Sequence, residues 1–445
     1  MTNLWGGVSI GDLCTSGDVE LQTGPFGAQL HSYDYLPEGI PVVPTEAISG
    51  GRLDHSVLPK ISPEKAASLE RHRLKVDDIL FARRGVQATG KAAIIRTAEA
   101  GFICGTGAIR LRIKRTSKKL DPYFLACLLM DQASIDWFKF HAIGATMPNL
   151  NEGIIKAFNF SLPPLPEQRS IAATLGALDD KIELNRRMNE TLEAMARALF
   201  RDWFVDFGPT RAKMAGTAPY LSDDLWFLFP DSLDADSKPE GWTVSTIGDE
   251  VRVVGGSTPS TKEPDFWDGG INWATPKDLS NLAAPVLLET SRTITLAGLA
   301  RISSGLLPVG AVLLSSRAPI GYLALAEVPV AINQGFIGMI CDKRLSNVFT
   351  WLWTLENMEA ILAKANGSTF QEISKGNFRP LPVVLPKGAI LEAFDALAKP
   401  IFQRIAQNEK ESRTLANTRD LLLPRLLSGE LRVADLDPAE KDTAE

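Results

Sequence analysis

The chain carries one plan twice. The stretch "ATMPNLNEGIIKAFNFSLP" (145–163) aligns with "STFQEISKGNFRPLPVVLP" (368–386), so that Thr146 and Thr369, Gly153 and Gly376, Leu162 and Leu385, and Pro163 and Pro386 all stand 223 positions apart. A shorter echo, "VSIGDL" (8–13) and "VSTIGDEV" (244–251), opens each half. A repeat of this length means that each copy folds as a unit, and 445 residues are too many for one ordinary core. The chain therefore reads as two units, each a β-rich globular head followed by a long helix.

The helices give the clearest periodicity. After "LPPLPEQ" the apolar positions run Ile171, Leu175, Leu178 and Ile182, pass through Asn185 and Asn189, and resume at Leu192, Ala196 and Leu199. The second copy gives Phe394, Ala398, Ile401 and Ile405, then Asn408 and Ser412, then Leu415, Arg419 and Leu422. Steps alternating between four and three mark helices that pack on helices, rather than two amphipathic helices lying separately on their own heads. Pro166 and Glu167 suit a helix start, Gly208-Pro209 suits its end, and the second pattern stops near Gly429. Buried Asn in such a seam lowers stability and fixes register. Asn185 lies midway between Ile171 and Leu199, and Asn408 midway between Phe394 and Leu422. A pseudo-twofold relation between the copies makes the helices antiparallel and brings their midpoints together, so Asn185 is expected beside Asn408. The 28 steps from Ile171 to Leu199 span roughly 42 Å, against about 34–36 Å for one turn of B-DNA. Heads at the two ends of such a rod suit two sites about one turn apart on a duplex.

Composition excludes several classes. Hydrophobic residues make up 45% and charged residues 22%, as in globular proteins. The four cysteines (Cys14, Cys104, Cys127, Cys341) are scattered, without CxxC or paired His spacing, which points to no metal site, no disulfide framework and a reducing cytoplasm. The start "MTNLWGGVSIGDL" has no charged segment followed by an apolar run, and no apolar run approaches the ~20 residues of a membrane span, so neither a signal peptide nor a membrane partner is expected.

One stretch suggests nucleotide chemistry. "GVQATGKAAII" (85–95) holds Gly85, four residues, Gly90 and Lys91, which is most of a phosphate-binding P-loop. A working loop needs Ser or Thr after the Lys to hold Mg²⁺, and a helix to follow. Here Ala92 follows, "KAAIIR" reads as a strand, and "DDILFARRG" upstream reads as strand then turn, so strand–loop–strand is expected. No acidic motif ends an apolar strand to complete an ATPase.

The same stretch lies in a basic window. From Arg71 to Lys119 there are thirteen Lys and Arg against three carboxylates, an excess of ten positive charges in a chain of net charge −6. Such a window suits phosphate neutralisation and base reading by Arg; the alternative is an ordinary solvated charged face. Arg83, Arg84 and Lys91, at a strand end, are the DNA-binding candidates of the first head. In the second copy, "GAVLLSSRAPIGYLALAEVPVAINQGFIGMI" (310–340), Arg317 replaces the double Arg. Upstream, "GGSTPSTKEPDFWDGGINWATPKDLS" (255–280) is Gly/Pro-rich and carries Lys277, with Trp267 and Trp273 reading equally well as core. Lys277 and Arg317 are the candidates of the second head, and Thr146 and Thr369 are either contacts or turn residues. If both heads bind DNA, loops this different bind different sequences.

Several stretches together resemble the specificity (S) subunit of type I restriction–modification systems. They are "TGPFGAQLHSYDYLPEGIPVV" (23–43), "LPPLPEQRSIAATLGALDDKIELNRRMNETLEAMARALFRDWF" (162–204), "GGSTPSTKEPDFWDGGINWATPKDL", and "TRDLLLPRLLSGEL" (418–431). The similarity covers nearly the whole chain. It implies two target recognition domains, each reading half of a split site in double-stranded DNA, with two helical segments forming an antiparallel ruler between them. It further implies that the helices dock two methyltransferase (modification) subunits, which bind S-adenosylmethionine and methylate adenine. Restriction subunits, which use ATP and Mg and cleave DNA, join that core. The chain itself is then non-catalytic and binds no cofactor. The residues agree: no glycine-rich cofactor loop pairs with an [N/D]PP[Y/F] tetrad, and "DPYF" (121–124) lacks the second Pro and reads as a helix start.

Three other classes compete. A coiled-coil scaffold with protein-binding heads is disfavoured by the basic window. A P-loop hydrolase is disfavoured by Ala92 and the strand after Lys91. A single-chain methyltransferase is disfavoured by its missing motifs. The expected architecture is α+β: recognition domain 1 over 1–165, a helix over 166–207, recognition domain 2 with its connector over 208–386, a helix over 387–429 antiparallel to the first, and an acidic disordered tail over 430–445. "AKMAGTAPYLSDD" (212–224) reads as a flexible connector.

Overall fold

A computed structural model describes residues 5–435 apart from 27–28, 145, 318 and 368–370, which leaves Thr369 and the end of the acidic tail outside the described residues. The chain divides into two compact units, Met1–Asp180 with Leu415–Glu445, and Lys181–Thr414. Each long helix therefore contributes one part to each unit. Among the described residues no helix is long and apolar enough to cross a membrane.

The two heads are built alike. In the first, Val19–Thr23, Ala108–Ile113, Ile79–Ala82 and Ala92–Ile94 form an antiparallel sheet in that order. Both faces are covered, because successive side chains of a strand point to opposite sides. Ile79, Phe81, Ile109 and Leu111 face the cluster that holds the helix Pro122–Met130, while Leu80, Ala82, Ala93 and Ala108 face a second cluster. Asp121 caps that helix by accepting from the amides of Tyr123 and Phe124 at 3.0 Å, so "DPYF" is a helix start. In the second head, Arg252–Gly255, Phe336–Ile340, Val312–Ser316 and Ile320–Ala326 repeat the antiparallel order, and Val286–Leu287 adds a parallel edge. Each sheet is accompanied by a short parallel pair, Ile40–Val43 with Ile103–Cys104 and Trp267–Ala274 with Ala331–Ile332. Each head is closed by a ribbon of its first and last strands, Gly7–Ser9 with Asn159–Ser161 and Thr243–Thr246 with Pro382–Leu385.

The long helices run Leu165–Phe204 and Gly388–Ser428. In the second unit they are antiparallel: Phe204 meets Phe394 with ring centroids 5.0 Å apart, while Asn185 meets Asn408. In the first unit Ile171 and Leu175 share a core with Leu426 and Leu427, and Asp179 pairs with Arg419 at 2.7 Å. The seam drifts from the strict heptad. Leu178 and Leu199 are only partly buried, and Asp179, Phe200, Trp203 and Phe204 fill the interior instead. A straight helix turns ~20° per heptad away from a 3.5-residue repeat, which accounts for the drift.

The polar centre is fully enclosed. Asn185 Nδ2 donates to the Asn408 carbonyl (3.4 Å), the Glu411 carboxylate (2.9 Å) and the Ser412 hydroxyl (3.3 Å), and Asn408 Nδ2 donates to Asn189 Oδ1 (2.8 Å). Replacing Asn408 alone by Leu removes the donor to buried Asn189 Oδ1, at about 1–3 kcal/mol, while Asn185 keeps the main-chain carbonyl at 408. Replacing Asn185, Asn189 and Asn408 together by Leu removes the unpaired groups, and should recover most of that loss. Urea unfolding of the single and triple variants measures both numbers.

Two segments are better fastened than their composition suggests. The stretch expected as a flexible connector begins inside the helix Gly208–Met214, where Lys213 donates to the Phe229 carbonyl (2.6 Å) and pairs with Asp231 (2.9 Å). Tyr220 then donates to the Asp202 carboxylate at 2.9 Å. After the second long helix, the Leu431 amide donates to the Arg425 carbonyl at 3.1 Å, and Leu431 and Val433 pack on the first head's core.

Candidate nucleic-acid interface

Strand direction gathers the loops. In each head the antiparallel sheet and the parallel pair deliver their connecting segments to one end of the strands. In the first head these are 24–26, 44–47, 83–91 and 105–107. They are tied by Gly24 N to Ala108 O (3.0 Å), Gly105 N to Val43 O (3.0 Å) and Arg83 N to Gly107 O (2.9 Å). Asn149 and Leu150 join them, through a bridge between Arg84 and Asn149 and a bond from Leu150 N to Arg83 O (2.7 Å). The approach is so close that a Cβ on Gly24 would lie 1.9 Å from the Gly105 carbonyl oxygen; on Gly256, the same position in the second head, it would lie 1.8 Å from that of Ile332.

Arg83, Arg84 and Lys91 all sit at this end. Arg83 is half-buried: its Nε donates to Asn149 Oδ1 (3.0 Å) and the Leu150 carbonyl (3.1 Å), and its guanidinium lies 5.3 Å from the Phe26 ring. Arg84 is exposed, with Nη2 3.5 Å from the Thr106 hydroxyl. Among the described residues neither Arg84 nor Lys91 pairs with a carboxylate. Val86, Ile143 and Met147, on the same loops, are also exposed.

The loop before Lys91 is not a phosphate cradle. The amides of Ala88 and Thr89 both donate to Gly85 O (3.2 and 3.0 Å), that of Gly90 to Ala82 O (3.1 Å) and that of Lys91 to Ala88 O (3.0 Å). The donors that would wrap a phosphate are already engaged, and the chain continues into the strand Ala92–Ile94 rather than a helix.

The basic window is partly neutralised by carboxylates of the same head and its helix. Arg110, 2% exposed, pairs with Glu20 at 2.8 Å, and Arg112 with buried Asp78 at 2.6 Å. Arg73 pairs with Glu70 (2.7 Å), Arg96 with Asp180 (3.6 Å) and Lys119 with Asp18 (3.0 Å). Four of these five carboxylates lie outside 71–119, so a count along the sequence overstated the free positive charge.

His72 lies between two of these cations. Burial first, then Arg71 and Arg110, push its imidazole down from 6.5 to about 4, and Arg71 Nε donates to its Nε2 at 2.9 Å. The unfolded chain takes up this proton below pH ~6.5 and the folded one does not, so stability should fall as pH drops from ~6.5 towards 4. Urea unfolding across that range should show the decline, and His72→Gln should flatten it.

In the second head the strand registers set the equivalences. Ser315 pairs with Phe336 as Ala82 pairs with Ala108, so Ser316 stands at the position of Arg83 and Arg317 at that of Arg84. The bonds agree: Ser316 N donates to Gly335 O (2.8 Å) and Ile373 N to Ser316 O (3.0 Å), as Arg83 does with Gly107 and Leu150. Arg317 thus replaces one arginine of the pair, and buried Ser316 replaces the other. Arg317 bridges Glu372, as Arg84 bridges Asn149, with a guanidinium–carboxylate distance of 3.9 Å. Lys277 is exposed in the turn Pro276–Leu279, at the position of Glu46.

Trp267 and Trp273 are core residues with a loop-holding role. Both are buried, and their indoles donate to the carbonyls of Ser260 (3.1 Å) and Ser257 (3.3 Å), supporting the 257–260 loop. Arg292, which the sequence reading missed, lies 3.6 Å from the Trp267 ring. Thr258 and Gln334, also missed, are exposed at the same end, and the Thr258 hydroxyl donates to Gln334 Oε1. Asn185 and Asn408 belong to the helices and not to these loops.

Comparison with known proteins gives the same answer. A family profile described as "Type I restriction modification DNA specificity domain" matches residues 3–194 and 239–410. The chain is 26% identical over 357 residues to the type I restriction enzyme HindI specificity subunit of Haemophilus influenzae, covering 70% of this chain and 77% of that one. It is 28% identical over 319 residues to the MjaIX specificity subunit of Methanocaldococcus jannaschii, covering 70% of each. Its fold is similar to the crystal structure of a type I S subunit from M. genitalium, with a TM-score of 0.56, 16% identity and 96% of each chain covered. Two matched segments that take in both heads and most of both helices place this chain in the type I restriction–modification DNA specificity family.

Proposed function

We propose that this chain reads a split duplex site, one half with each head, and that the paired helices set the separation of the halves. The observation that best supports this is a chain with two heads of one strand order whose loop ends carry different side chains. Two unlike surfaces suit a two-part target whose halves differ; an unchanged duplicate would suit a palindrome. Arg83, Arg84 and Lys91 approach the duplex in the first head, and Lys277 and Arg317 in the second. The chain is non-catalytic. Two modification subunits dock on its helices, where Leu184, Met195 and Leu421 are exposed, and restriction subunits join them in the cytoplasm. S-adenosylmethionine, ATP and Mg²⁺ belong to those partners.

Mass spectrometry of the tagged chain purified from its host tests the assembly. The expected result is an adenine methyltransferase at two copies per chain, in a complex whose affinity for duplex DNA falls steeply with salt. A chain recovered alone, without salt-sensitive DNA binding, would favour the scaffold reading.

A further inference from the structure

Two heads with one scaffold separate what a duplex demands everywhere from what a sequence demands locally. Phosphates look the same to both heads, whereas base edges differ between unlike half-sites. A position serving the backbone is free to hold one residue in both heads, and a position reading bases is not. The registers allow the comparison. Thr23 and Gly255 pair with Ile109 and Ile337, which makes Phe26 equivalent to Thr258. Val43 and Ala274 pair with Cys104 and Ile332, which makes Thr106 equivalent to Gln334. Among these loop-end positions only Arg84 and Arg317 keep one side chain.

Gln334 is held as a reader should be. Its backbone is pinned on both sides: Asn333 N donates to Ala274 O (3.1 Å), Gly335 N donates to Asn333 Oδ1 (2.8 Å), and Gly335 O accepts from Ser316 N (2.8 Å). Its exposed amide is oriented by Thr258, whose hydroxyl donates to Oε1. That leaves a second lone pair on Oε1 and both Nε2 hydrogens, which is the set that matches the N6 and N7 edge of adenine in the major groove.

Resting on the split-site reading, we propose that Arg84 and Arg317 are the shared contacts to the DNA backbone, and that Gln334, oriented by Thr258, selects an adenine in the half-site of the second head. Thr106 is its counterpart in the first head, where a hydroxyl with one donor, and one lone pair left beside the long contact from Arg84 Nη2 (3.5 Å), sets a different preference.

The test is genome-wide sequencing of modified bases in the native host, with the full chain and its own partners. Gln334→Thr should relax or change one letter in one half of the modified motif, with roughly 10- to 100-fold weaker discrimination there, and leave the other half unchanged. Thr258→Val should relax the same letter to a smaller degree, and decides the matter if Gln334→Thr abolishes modification altogether. Arg84→Gln should keep every letter while lowering the fraction of sites modified. In titrations of the assembled complex with a 40-bp duplex of random sequence, it should also reduce the slope of log affinity against log salt by about 1. A full motif at full occupancy with Gln334→Thr, or a changed letter with Arg84→Gln, overturns the proposal. If deleting the gene changes no modification at all, the split-site reading fails and takes this proposal with it.

Discussion

Asp179→Ala should lower the unfolding free energy of the first unit by about 3 kcal/mol. The carboxylate is 8% exposed and accepts from the Tyr123 hydroxyl at 2.5 Å and from Arg419 Nη1 at 2.7 Å. It thereby ties the head helix Pro122–Met130 to both long helices within one unit. Its removal leaves a phenol and a guanidinium without their shared acceptor. Removing one partner of a buried pair costs about 3–5 kcal/mol. Arg419 is 29% exposed and keeps Asp420 at 2.7 Å, so it relaxes towards water and the loss falls at the lower end. For a unit of this size the transition should drop by roughly 6–12 °C. Asp179→Asn keeps an acceptor for Tyr123 and should lose less than half as much. Equal losses for the two variants would mean that the side-chain volume, and not its bonds, is what matters. The equivalent positions 223 residues away show why this site is distinctive: Phe402 stands for Asp179 and Ala196 for Arg419, so the second unit closes the same junction with apolar packing.

Trp203→Ala should be the most damaging single change in the second unit, at about 3–5 kcal/mol. Trp203 is fully buried, with its ring 5.0 Å from Phe229 and 6.0 Å from Phe394. The neighbours come from a long helix, a connector and the opposing helix, and such a set does not collapse into the space left. Trp203→Phe separates the contributions. The indole Nε1 has no hydrogen-bond partner among the described residues, so Phe loses volume but removes a buried unpaired donor. Its net effect should stay within about 1–1.5 kcal/mol. Chemical denaturation followed by fluorescence gives both values.

Much of this was legible because it is periodic. The 223-residue offset places the helix Glu152–Lys156 on Lys375–Phe378 and the strand Asn159–Ser161 on Pro382–Leu385. The polar break in the heptads pointed to Asn185 and Asn408, which hydrogen-bond. Ala92 gave away the false P-loop, because a strand there leaves no helix N-terminus to face a phosphate. The site was less legible, for physical reasons. Charge pairing is non-local: Glu20 and Asp180 neutralise Arg110 and Arg96 from far along the chain, and no window could have included them. Equivalence between loops is set by strand register, not by sequence likeness. "GTGA" and "NQGF" share one glycine, and only the pairing of their flanking strands places Thr106 on Gln334. The connector looked loose because its tie points, Asp202, Phe229 and Asp231, lie outside the quoted stretch.

Two unlike heads on one chain should read two unlike half-sites. The most direct measurement is a map of modified adenines across the host genome, with the gene present and with it deleted. Deletion should erase modification at one motif made of two different defined segments separated by a fixed run of unspecified bases. An unchanged map, or the loss of a single unbroken or palindromic motif, would contradict it.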